Sequence, residues 1–238
     1  MRKRLPNVAH VGPMIEQTCA LIGDPTRARM LFALLAGREF SASELASSAH
    51  TSPQAASLHL GKLVEGKLLS VRTVGRQRLF RLYSAEVAEA IESLASIAPV
   101  GRIVSLTQQT TMQRLREVRS CYDHLAGRVG VGITDALLKK GAISRRDDSF
   151  HLTPRGAHFF EGIGIRIAPL RENRRALLRA CTDWTERRPH VAGGLGAALL
   201  DRLLADGLLR GNSKDRALQI TETGRLRIPQ MFGVRFDI

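Results

Sequence analysis

The stretch SASELASSAHTSPQAASLHLGKLVEGKLLSVRTVGRQRLFRL, residues 41–82, decides the fold of this chain. Ser41 and Glu44 have the S-x-x-E spacing of a capping box, which predicts a helix beginning near Ala42. A second start signal follows at Thr51-Ser52-Pro53, because either hydroxyl can cap a helix and proline suits the first helical position. The pattern therefore predicts two short helices joined by a tight turn.

The second helix is predicted to have two unlike faces. Its apolar residues recur at helical spacing and should face the core: Ala56, Leu60, Leu63 and Val64. The opposite face carries polar residues: Gln54, Ser57, His59 and Lys62. Such side chains hydrogen-bond base edges or phosphates, and glutamine can pair bidentately with adenine. Gly66 is expected to end the helix, as a glycine at the C′ position does.

A basic hairpin is predicted after this helix. Residues 68–73 and 77–82 are strand-like, with Val74-Gly75-Arg76 between them. Six cations stand against the single acid Glu65: Lys62, Lys67, Arg72, Arg76, Arg78 and Arg81. This charge favours the phosphate backbone and predicts salt-sensitive binding. Two helices and a basic hairpin are the layout of a winged helix-turn-helix, which places one helix in the DNA major groove. The alternative is a helical hairpin with a solvated basic face.

Residues 24–31 add a motif upstream, Asp-Pro-Thr-Arg-Ala-Arg-Met-Leu. Further motifs follow in order: Glu44-Leu45-Ala46, Ser57-x-His59-Leu60-x-x-Leu63, Gly66-x-Leu68 and Gly75-Arg76. Over residues 14–98 this arrangement resembles the ArsR/SmtB-type repressors. The resemblance implies a homodimer that binds a near-palindromic operator in double-stranded DNA and releases it when an inducer arrives. The resemblance also implies which residues contact DNA: Ser52, Gln54, Ser57 and His59 on the recognition helix, and Arg76 and Arg78 in the wing. The positive charge of Lys62 and Arg72 adds these two residues to the predicted contacts.

The chain departs from this family at its two best-known metal sites. Metal sensors of the family carry a cysteine pair just after the Glu-Leu of the first motif helix, where this chain has Ala46-Ser47-Ser48. The other site uses His and acidic ligands on the helix after the wing, and residues 84–97 contain neither His nor Cys. An effector is therefore expected to act elsewhere in the chain. No cofactor is expected to be required for DNA binding.

Two helices that flank the motif are implied by the resemblance to form the dimer seam. One is predicted at about 13–21, and the other follows the wing. The second has an apolar stripe of mostly small residues: Ala85, Ala88, Ile91, Leu94 and Ala95. The stripe is either intrachain core or a dimer face, and we favour the dimer face. Pro99-Val100-Gly101 marks the predicted domain boundary.

Composition supports a polyanionic partner. The 238 residues suffice for one large or two small domains, and the formal net charge is +14. Residues 1–98 hold 12 Lys and Arg against 8 Asp and Glu, and residues 99–238 hold 24 against 14. The alternative explanation for the excess is GC-rich coding, which enriches arginine generally. We expect no signal peptide and no membrane span. Three cysteines without a C-x-x-C motif fit a reducing cytoplasm rather than a disulfide framework. A DNA-binding regulator is expected to associate there with the nucleoid.

The second half contains an internal repeat. HLAGRVGVGITDALLKKGAI (124–143) aligns with HVAGGLGAALLDRLLADGLL (190–209), and eight of the twenty positions are identical. Each copy continues into a strand-like run and T-x-x-G, so each is predicted to form helix, helix, short hairpin and helix. The glycines in H-x-A-G-x-x-G are expected to allow close packing of a helix or a ligand. They lack the context of a dinucleotide fingerprint.

A polar cluster is predicted near the repeat starts: Cys121, Asp123, His124, Cys181, Asp183, Trp184 and His190. Cys121 and His124 are three residues apart, one helical turn, and could share a metal ion. The alignment makes His124 and His190 equivalent but places Arg187 opposite Cys121. Four interpretations stay open: a mixed Cys/His/Asp metal site, a redox-sensing thiol, a small-molecule pocket with Trp184 and Tyr122, or a purely structural role. No metal ligand is assigned on this evidence.

The predicted fold class is mainly α with small β-hairpins (α+β). It comprises a basic tail (1–12), a winged helix-turn-helix domain (13–98), and a C-terminal module (99–238) with two winged-helix-like repeats at about 121–160 and 187–229. The predicted function is a dimeric DNA-binding regulator rather than an enzyme. It is most simply a repressor released by a small-molecule, metal or oxidant effector in the C-terminal module or at the dimer seam. The alternatives are a Cys/His-dependent enzyme fused to a DNA-binding segment, and a nucleoid-type architectural protein.

Overall fold

The computed structural model describes residues 12–99, 101–102, 104–211 and 216–234. The predicted basic tail lies outside these residues, apart from Gly12. The chain divides into two compact units. The N-terminal unit extends to Phe32 and continues from Glu39 to Ser84, and the C-terminal unit comprises Ala33–Arg38 and Ala85–Ile238.

The N-terminal unit contains the predicted helices and hairpin. Its elements are α1 (Ile15–Ile22), α2 (Pro25–Leu34, whose last two residues belong to the other unit), β1 (Phe40–Ser41), α3 (Ala42–Ser48), α4 (Pro53–Glu65), β2 (Leu69–Val74) and β3 (Gln77–Leu82). The strands form an antiparallel sheet in the order β1-β3-β2. Val74 pairs with Gln77, so a two-residue turn at Gly75-Arg76 joins the wing strands.

Both predicted helix starts are confirmed. Ser41 and Glu44 form a complete capping box at the start of α3. Ser52 caps α4, where its hydroxyl accepts a hydrogen bond from the Ala55 N–H at 3.2 Å, and Pro53 occupies the first turn. These contacts satisfy backbone donors that a helix start leaves unpaired.

Helix α4 ends before Gly66 as predicted, but Gly66 does not act as a left-handed C′ glycine. Its φ of −76° is ordinary, and Lys67 takes the left-handed conformation instead, with φ 54°. A Cβ on Gly66 would lie 2.2 Å from Leu21 Cδ1. The glycine therefore leaves room for the Leu21 side chain of α1 at the end of α4, and the backbone turns at Lys67.

The D-P-x-R motif joins α1 to α2. The Asp24 carboxylate accepts a hydrogen bond from the Arg27 N–H at 2.9 Å and caps α2. The Arg27 guanidinium is largely buried and donates to the carbonyls of Leu21 (2.6 Å) and Ala20 (2.7 Å) at the end of α1. One arginine therefore satisfies carbonyls that the helix end leaves unpaired.

The C-terminal unit is a chain of helices and two-stranded hairpins. Its elements are α5 (Ala85–Ile97), α6 (Leu106–Glu117), β4 (Arg119–Cys121), β5 (His124–Ala126), α7 (Gly127–Lys139), β6 (Ile143–Arg146), β7 (Ser149–Leu152), α8 (Pro154–Gly162), α9 (Ile167–Arg171), β8 (Arg179–Thr182), β9 (Pro189–Ala192), α10 (Gly193–Ala205), β10 (Leu209–Gly211), β11 (Leu218–Ile220) and α11 (Glu222–Phe232). Each hairpin is antiparallel.

Helix α5 groups with the C-terminal unit, so the boundary falls after Ser84 rather than at Pro99. Two acidic residues of α5 form ion pairs with arginines of the C-terminal unit. Glu92 pairs with Arg216, both largely buried, and Glu89 lies 2.5 Å from Arg179. Its apolar stripe is divided. Ala88 and Ile91 are buried in the chain, whereas the Leu94 side chain is 44% exposed.

Each repeat is longer than predicted and begins differently. The observed order is helix, hairpin, helix, hairpin, helix, over residues 106–162 and 167–232. The segments at His124 and His190, predicted as helical, are strands, so Cys121 and His124 do not share a helical turn. Strands of three or four residues are too short to show a two-residue alternation in the sequence.

The repeated glycines have the same roles in both copies. Gly127 and Gly193 begin α7 and α10 with φ of 79° and 86°. A Cβ at Gly130 would lie 2.6 Å from the Leu125 carbonyl oxygen, and one at Gly196 would lie 2.7 Å from that of Val191. At Gly130 and Gly196 the element that approaches closely is therefore the preceding strand of the same repeat. At Gly127 it is the end of α6, where the Arg116 carbonyl oxygen would lie 2.8 Å from an added Cβ, so the expected close approach of another helix is found at this glycine.

The two repeats pack reciprocally. Helix α7 of the first lies against β9 of the second, and α10 of the second lies against β5 of the first. The Thr134 hydroxyl on α7 accepts a hydrogen bond from the Val191 N–H at 3.0 Å. One apolar core with residues from both repeats fills the space between them, and its largest members include Phe150, Phe160 and Phe232. The prediction that the two repeats pack on each other is confirmed.

Candidate nucleic-acid interface and a buried Cys/His cluster

Helix α4 is anchored on one side only. Ala56, Leu60 and Leu63 are its buried residues. The exposed side follows the spacing i, i+3, i+4, i+7, i+8 and comprises Gln54, Ser57, Leu58, Gly61 and Lys62. This face is free to enter a groove, and it offers an amide, a hydroxyl and a cation for base edges and phosphates.

Two of the predicted recognition-helix contacts have other roles in the structure. Ser52 caps the helix, as described above. His59 is half-buried, and its Nδ1 lies 3.7 Å from the Asp24 carboxylate. His59 is therefore not part of the exposed face, whereas the neighbouring Leu58, which is 72% exposed, is part of it. The sequence analysis missed Leu58 because it is apolar, although its spacing from Gln54 was a usable signal, and an apolar side chain can contact a thymine methyl group.

The wing arginines differ in how they are held. Arg76 is exposed in the turn. The Arg78 guanidinium lies 5.3 Å from the centre of the Phe80 ring, a cation–π distance. Arg72 donates to both oxygens of Glu39, at 2.7 and 2.5 Å, and this pair holds the pKa of Glu39 below its usual value. The positive charge of Arg72 is therefore partly offset, while Arg76 at the tip is presented to solvent.

In the C-terminal unit, four of the seven predicted cluster residues come together. Cys121 faces His124 across β4–β5, and Cys181 faces His190 across β8–β9, each as a directly paired residue. The two sulfur atoms lie 3.8 Å apart, and the two histidine Nε2 atoms lie 3.1 Å apart. All four candidate ligand atoms lie within 4.8 Å of one another. Cys181, and not Arg187, is thus the counterpart of Cys121.

Alignment along the chain hid this equivalence because the hairpin loops differ in length. Two residues, 122–123, connect β4 to β5, whereas six residues, 183–188, connect β8 to β9. Counting back from the aligned histidines therefore reaches Arg187, while the strand pairing reaches Cys181. Pairing across a hairpin depends on the strands and not on the loop length, so only the fold shows the match.

The two aspartates stand behind the histidines. Asp123 Oδ1 lies 3.3 Å from His124 Nδ1, and Asp183 Oδ2 lies 3.8 Å from His190 Nδ1. Burial alone would lower the pKa of His124, but its hydrogen bonds with Asp123 and Cys181 outweigh burial and raise it. Burial would raise the pKa of Asp123, and its hydrogen bonds with His124 and Arg175 instead hold it at about 2.

The two thiols have opposite environments. Burial raises the pKa of the Cys121 thiol well above its usual value. The pKa of Cys181 is lowered, because a hydrogen bond from Cys121 and others from the two histidines stabilise its thiolate. Cys121, His124 and His190 are each at most 3% exposed. Cys181 is half-buried.

Trp184 does not line a pocket with the histidines. Its ring packs under the Arg119 guanidinium at 4.8 Å, and Arg119, fully buried, pairs with Asp183 at 2.9 Å. The cavity beside Cys121 and Tyr122 has a volume of ≈ 10 Å³. This is room for about one water molecule, far below the ~300 Å³ of a small-molecule site. The cavity beside Cys121 is therefore too small for a small-molecule effector, whereas a second cavity of ≈ 400 Å³ is lined by Tyr122 and Asp123 among other residues.

The capped, polar-faced α4 and the basic wing define a winged helix-turn-helix DNA-binding protein. Comparison with known sequences agrees: a family described as "Helix-turn-helix domain" matches residues 22–72. The chain is similar to the uncharacterized HTH-type transcriptional regulator YdfF of Bacillus subtilis (strain 168), at 41% identity over 94% of this chain and 100% of that protein. The chain belongs to the HTH-type transcriptional regulators, and its helix-turn-helix domain lies in the N-terminal unit.

Solved structures match over about a third of the chain. Reduced HlyU from Vibrio cholerae N16961 is 28% identical, covers 36% of this chain and 90% of its own, and has a TM-score of 0.34. The transcriptional repressor BigR from Xylella fastidiosa is 24% identical, with 37% and 88% coverage and a TM-score of 0.34. Separately, within the described part of the chain, no helix combines the length and apolarity needed to cross a bilayer.

Proposed function

We propose that this DNA-binding regulator is a dimeric, sequence-specific repressor of transcription, rather than an enzyme, and that it acts on the nucleoid in the cytoplasm. The observation that carries the proposal is the exposed face of α4, where Gln54, Ser57 and Lys62 stand outward from a helix anchored by three buried residues. Base-edge contacts from this face select the sequence, and phosphate contacts from the wing add affinity that does not depend on sequence.

Each part of the interface has a chemical role in the proposal. The Gln54 amide offers both a donor and an acceptor, which matches the N6 and N7 pattern of adenine. Lys62 and Arg76 neutralise phosphates, and Arg78 supports them from the wing. Ser52 orients the helix through its cap. His59 acts indirectly, because its half-buried ring lies against Asp24 rather than on the exposed face.

Exposed apolar side chains support the dimer. In the N-terminal unit, Ile15 at the start of α1 is 64% exposed, and the adjoining Met14 is 56% exposed. In the C-terminal unit, Ile97 at the end of α5 is 77% exposed. Ile15 and Ile97 lie on the two helices, α1 and α5, that the family resemblance implies form the dimer seam, and burying them against a second copy would remove apolar surface from water. A dimer presents two recognition helices to successive major grooves, which matches a near-palindromic operator.

Release is proposed to follow a shift in population. The effector binds more tightly to a dimer geometry in which the recognition helices no longer match successive grooves. It lowers operator affinity by as much as its affinities for the two dimer geometries differ. We place its action in the C-terminal unit or at the dimer seam. This is consistent with the absence of the family's cysteine pair from residues 46–48 and of His and Cys from residues 84–97.

Selection from random DNA, followed by footprinting on the selected site, tests the proposal. We expect two related half-sites with centres about 10–10.5 base pairs apart, or a multiple of that spacing. A reporter gene carrying the site should be expressed less when the protein is present. A single unsymmetrical half-site, or a reporter that is unaffected or activated, would contradict the proposal.

Sedimentation of the free protein tests the dimer separately. The wild-type chain is expected to sediment as a dimer, and Ile15→Glu and Ile97→Glu are expected to shift it toward the monomer by placing a charge in an apolar contact. Leu226→Glu is the matched control, because Leu226 on α11 is also exposed, at 68%, and lies outside the proposed seam. A monomeric wild-type protein at concentrations that protect the operator would contradict the proposal.

A further inference from the structure

We propose that Cys121, His124, Cys181 and His190 bind one Zn²⁺ ion in a closed, four-coordinate site that joins the two repeats. The site lies in the C-terminal unit and is separate from the winged helix-turn-helix. The inference does not rest on the proposed repressor function, because metal binding is measured without DNA.

The ligand set is symmetric. Each repeat contributes one cysteine and one histidine, and in each repeat the two are directly opposite on the strands of the first hairpin. The histidine rings of the two repeats stack with their centres 5.0 Å apart. Two thiols and two imidazoles form the Cys₂His₂ set of structural zinc sites, and a tetrahedral S₂N₂ arrangement is typical of Zn²⁺.

The distances suit a shared ion. Zinc–sulfur bonds of about 2.3 Å in tetrahedral geometry place the two sulfurs about 3.8 Å apart, and zinc–nitrogen bonds of about 2.05 Å place the nitrogens about 3.3 Å apart. The observed separations are 3.8 Å for the sulfurs and 3.1 Å for the Nε2 atoms. No two of the four ligand atoms are more than 4.8 Å apart. A tetrahedral zinc ion would place each sulfur about 3.6 Å from each nitrogen, so the most widely separated atoms would have to move together by about 1 Å.

A carboxylate stands behind each histidine. Nδ1 of His124 faces Asp123 and Nδ1 of His190 faces Asp183, while both Nε2 atoms point into the cluster. In each repeat the aspartate is two residues after the cysteine. Metal-ligating histidines commonly place their other ring nitrogen against a carboxylate, which fixes the tautomer and the ring orientation.

The carboxylates are themselves held in place. Asp123 pairs with Arg175, and Asp183 pairs with Arg119 while also accepting the Gly127 N–H at 2.7 Å. Asp183 belongs to the second repeat and Gly127 begins α7 of the first. The shell around the cluster therefore crosses between the repeats, as the ligands do. Such carboxylates behind the ligating histidines are the usual surroundings of a bound metal ion.

Burial makes the site a structural one. Cys121, His124 and His190 are at most 3% exposed, and four protein ligands complete a tetrahedron without an open position. Such an ion holds the two hairpins together and does not activate water. Because binding free energy at such sites stabilises the fold, removal of the metal is expected to destabilise the C-terminal unit.

The first test is metal analysis of the full-length wild-type protein, purified under reducing conditions. We expect about one Zn²⁺ per chain to remain after dialysis. Replacement by Co²⁺ should give the visible bands of a tetrahedral ion together with thiolate-to-cobalt charge transfer. X-ray absorption should fit two sulfurs at about 2.3 Å and two nitrogens at about 2.0 Å. A folded, reduced protein that takes up neither metal would overturn the proposal.

Cysteine variants assign the ligands. Cys19→Ser is the matched control, because Cys19 is exposed on α1, and it should keep the full zinc content. In this variant only two thiols remain, so a thiol-modifying mercurial should release the zinc as both are modified. Cys121→Ser and Cys181→Ser should each retain less than about a tenth of the zinc. Full zinc content in either variant, or zinc that stays bound after both thiols are modified, would show that the cluster is not the site.

A Ser variant that fails to fold would itself be uninformative about ligation. Folding is therefore checked by far-UV circular dichroism and by the fluorescence of Trp184, the only tryptophan. If either variant is unfolded, the mercurial release from Cys19→Ser and the charge-transfer band of the wild type decide the question.

Discussion

Helices α4, α7 and α10 are each 13 residues long and each is followed by a hairpin, yet their surroundings differ. Helix α4 buries three residues, whereas α7 buries seven and α10 buries six. A helix covered on several sides cannot enter a groove. The same local unit therefore serves as a DNA reader where one face stays uncovered, and as a core element where another repeat covers it.

The turn of the wing and the turn between β6 and β7 differ in charge. The turn after α4 exposes Arg76, whereas the turn between β6 and β7 is Asp147-Asp148. Asp148 is fully exposed, and its neighbour Arg145 is paired with it at 3.2 Å. An acidic turn repels phosphate, so the tip of this hairpin is less suited to the DNA backbone than Arg76 at the tip of the wing. Charge and coverage together distinguish the reader from its relatives.

The largest effect is expected from adding one methyl group to a glycine in each kind of helix. In α7 of the first repeat, a Cβ on Gly130 would lie 2.6 Å from the Leu125 carbonyl oxygen. Because backbone must move, Gly130→Ala should destabilise the C-terminal unit by about 3 kcal/mol. The measurement is the urea transition followed by Trp184 fluorescence, which reports this unit.

Gly61→Ala is the matched change in α4. Nothing lies within 4 Å of the added methyl group, so the substitution should stabilise the N-terminal unit by about 0.5–1 kcal/mol through helix propensity. The urea transition of helicity should move to higher urea while that of Trp184 stays unchanged. Equal effects of the two substitutions would break the distinction between open and covered helices.

The next effect concerns the two kinds of DNA contact. Gln54→Ala should cost about 1–3 kcal/mol on the selected site and much less on random DNA, because it removes a base-edge contact. Arg76→Ala should weaken binding to both DNAs alike and reduce the slope of log affinity against log salt by about one. Fluorescence anisotropy over a salt series measures both. Equal losses on the two DNAs for Gln54→Ala would remove the base-reading role of α4.

A smaller effect is expected at the cap of α2. The backbone N–H of Arg27 lowers the pKa of Asp24, whose contribution to stability is therefore present above the unfolded value of about 3.9 and is lost as pH falls through the lower folded value. Asp24→Asn keeps an acceptor, so it should cost at most about 1 kcal/mol at pH 7. The difference between the urea transitions of helicity of the two proteins should shrink from pH 7 to pH 3. A constant difference at both pH values would contradict the role of the charge.

The smallest effect is expected from the second wing arginine. Because Arg72 is paired with Glu39, Arg72→Ala should weaken DNA binding less than Arg76→Ala does. Glu39→Gln should strengthen binding, and the salt slope should become steeper by up to about 0.9, the value for one further phosphate contact. The same anisotropy series measures this. If Arg72→Ala matches Arg76→Ala, the ion pair does not persist in the complex.

The N-terminal unit was predictable because its signals are local. The capping box, Ser52-Pro53, the spacing of Ala56, Leu60 and Leu63, and the wing hairpin each depend on neighbours a few positions away. The wing turn was predicted one residue too long, because Val74 belongs to the strand and pairs with Gln77. The exposed face of α4 was predicted only in part, because residue type was given more weight than spacing. That choice included the half-buried His59 and omitted the exposed Leu58.

The amino-acid sequence by itself determined where helices begin, which hairpin is basic and that the second half is repeated, since these follow from propensity, spacing and identity along the chain. Only the tertiary structure decided that Cys121, His124, Cys181 and His190 share one point in space. The reason is that strand pairing and the packing of one repeat on the other bring together residues up to 69 positions apart, across loops of unequal length. The aligned repeats predicted a polar cluster and the equivalence of the two histidines, but only the folded chain showed that Cys181 is the counterpart of Cys121 and that all four ligand atoms meet.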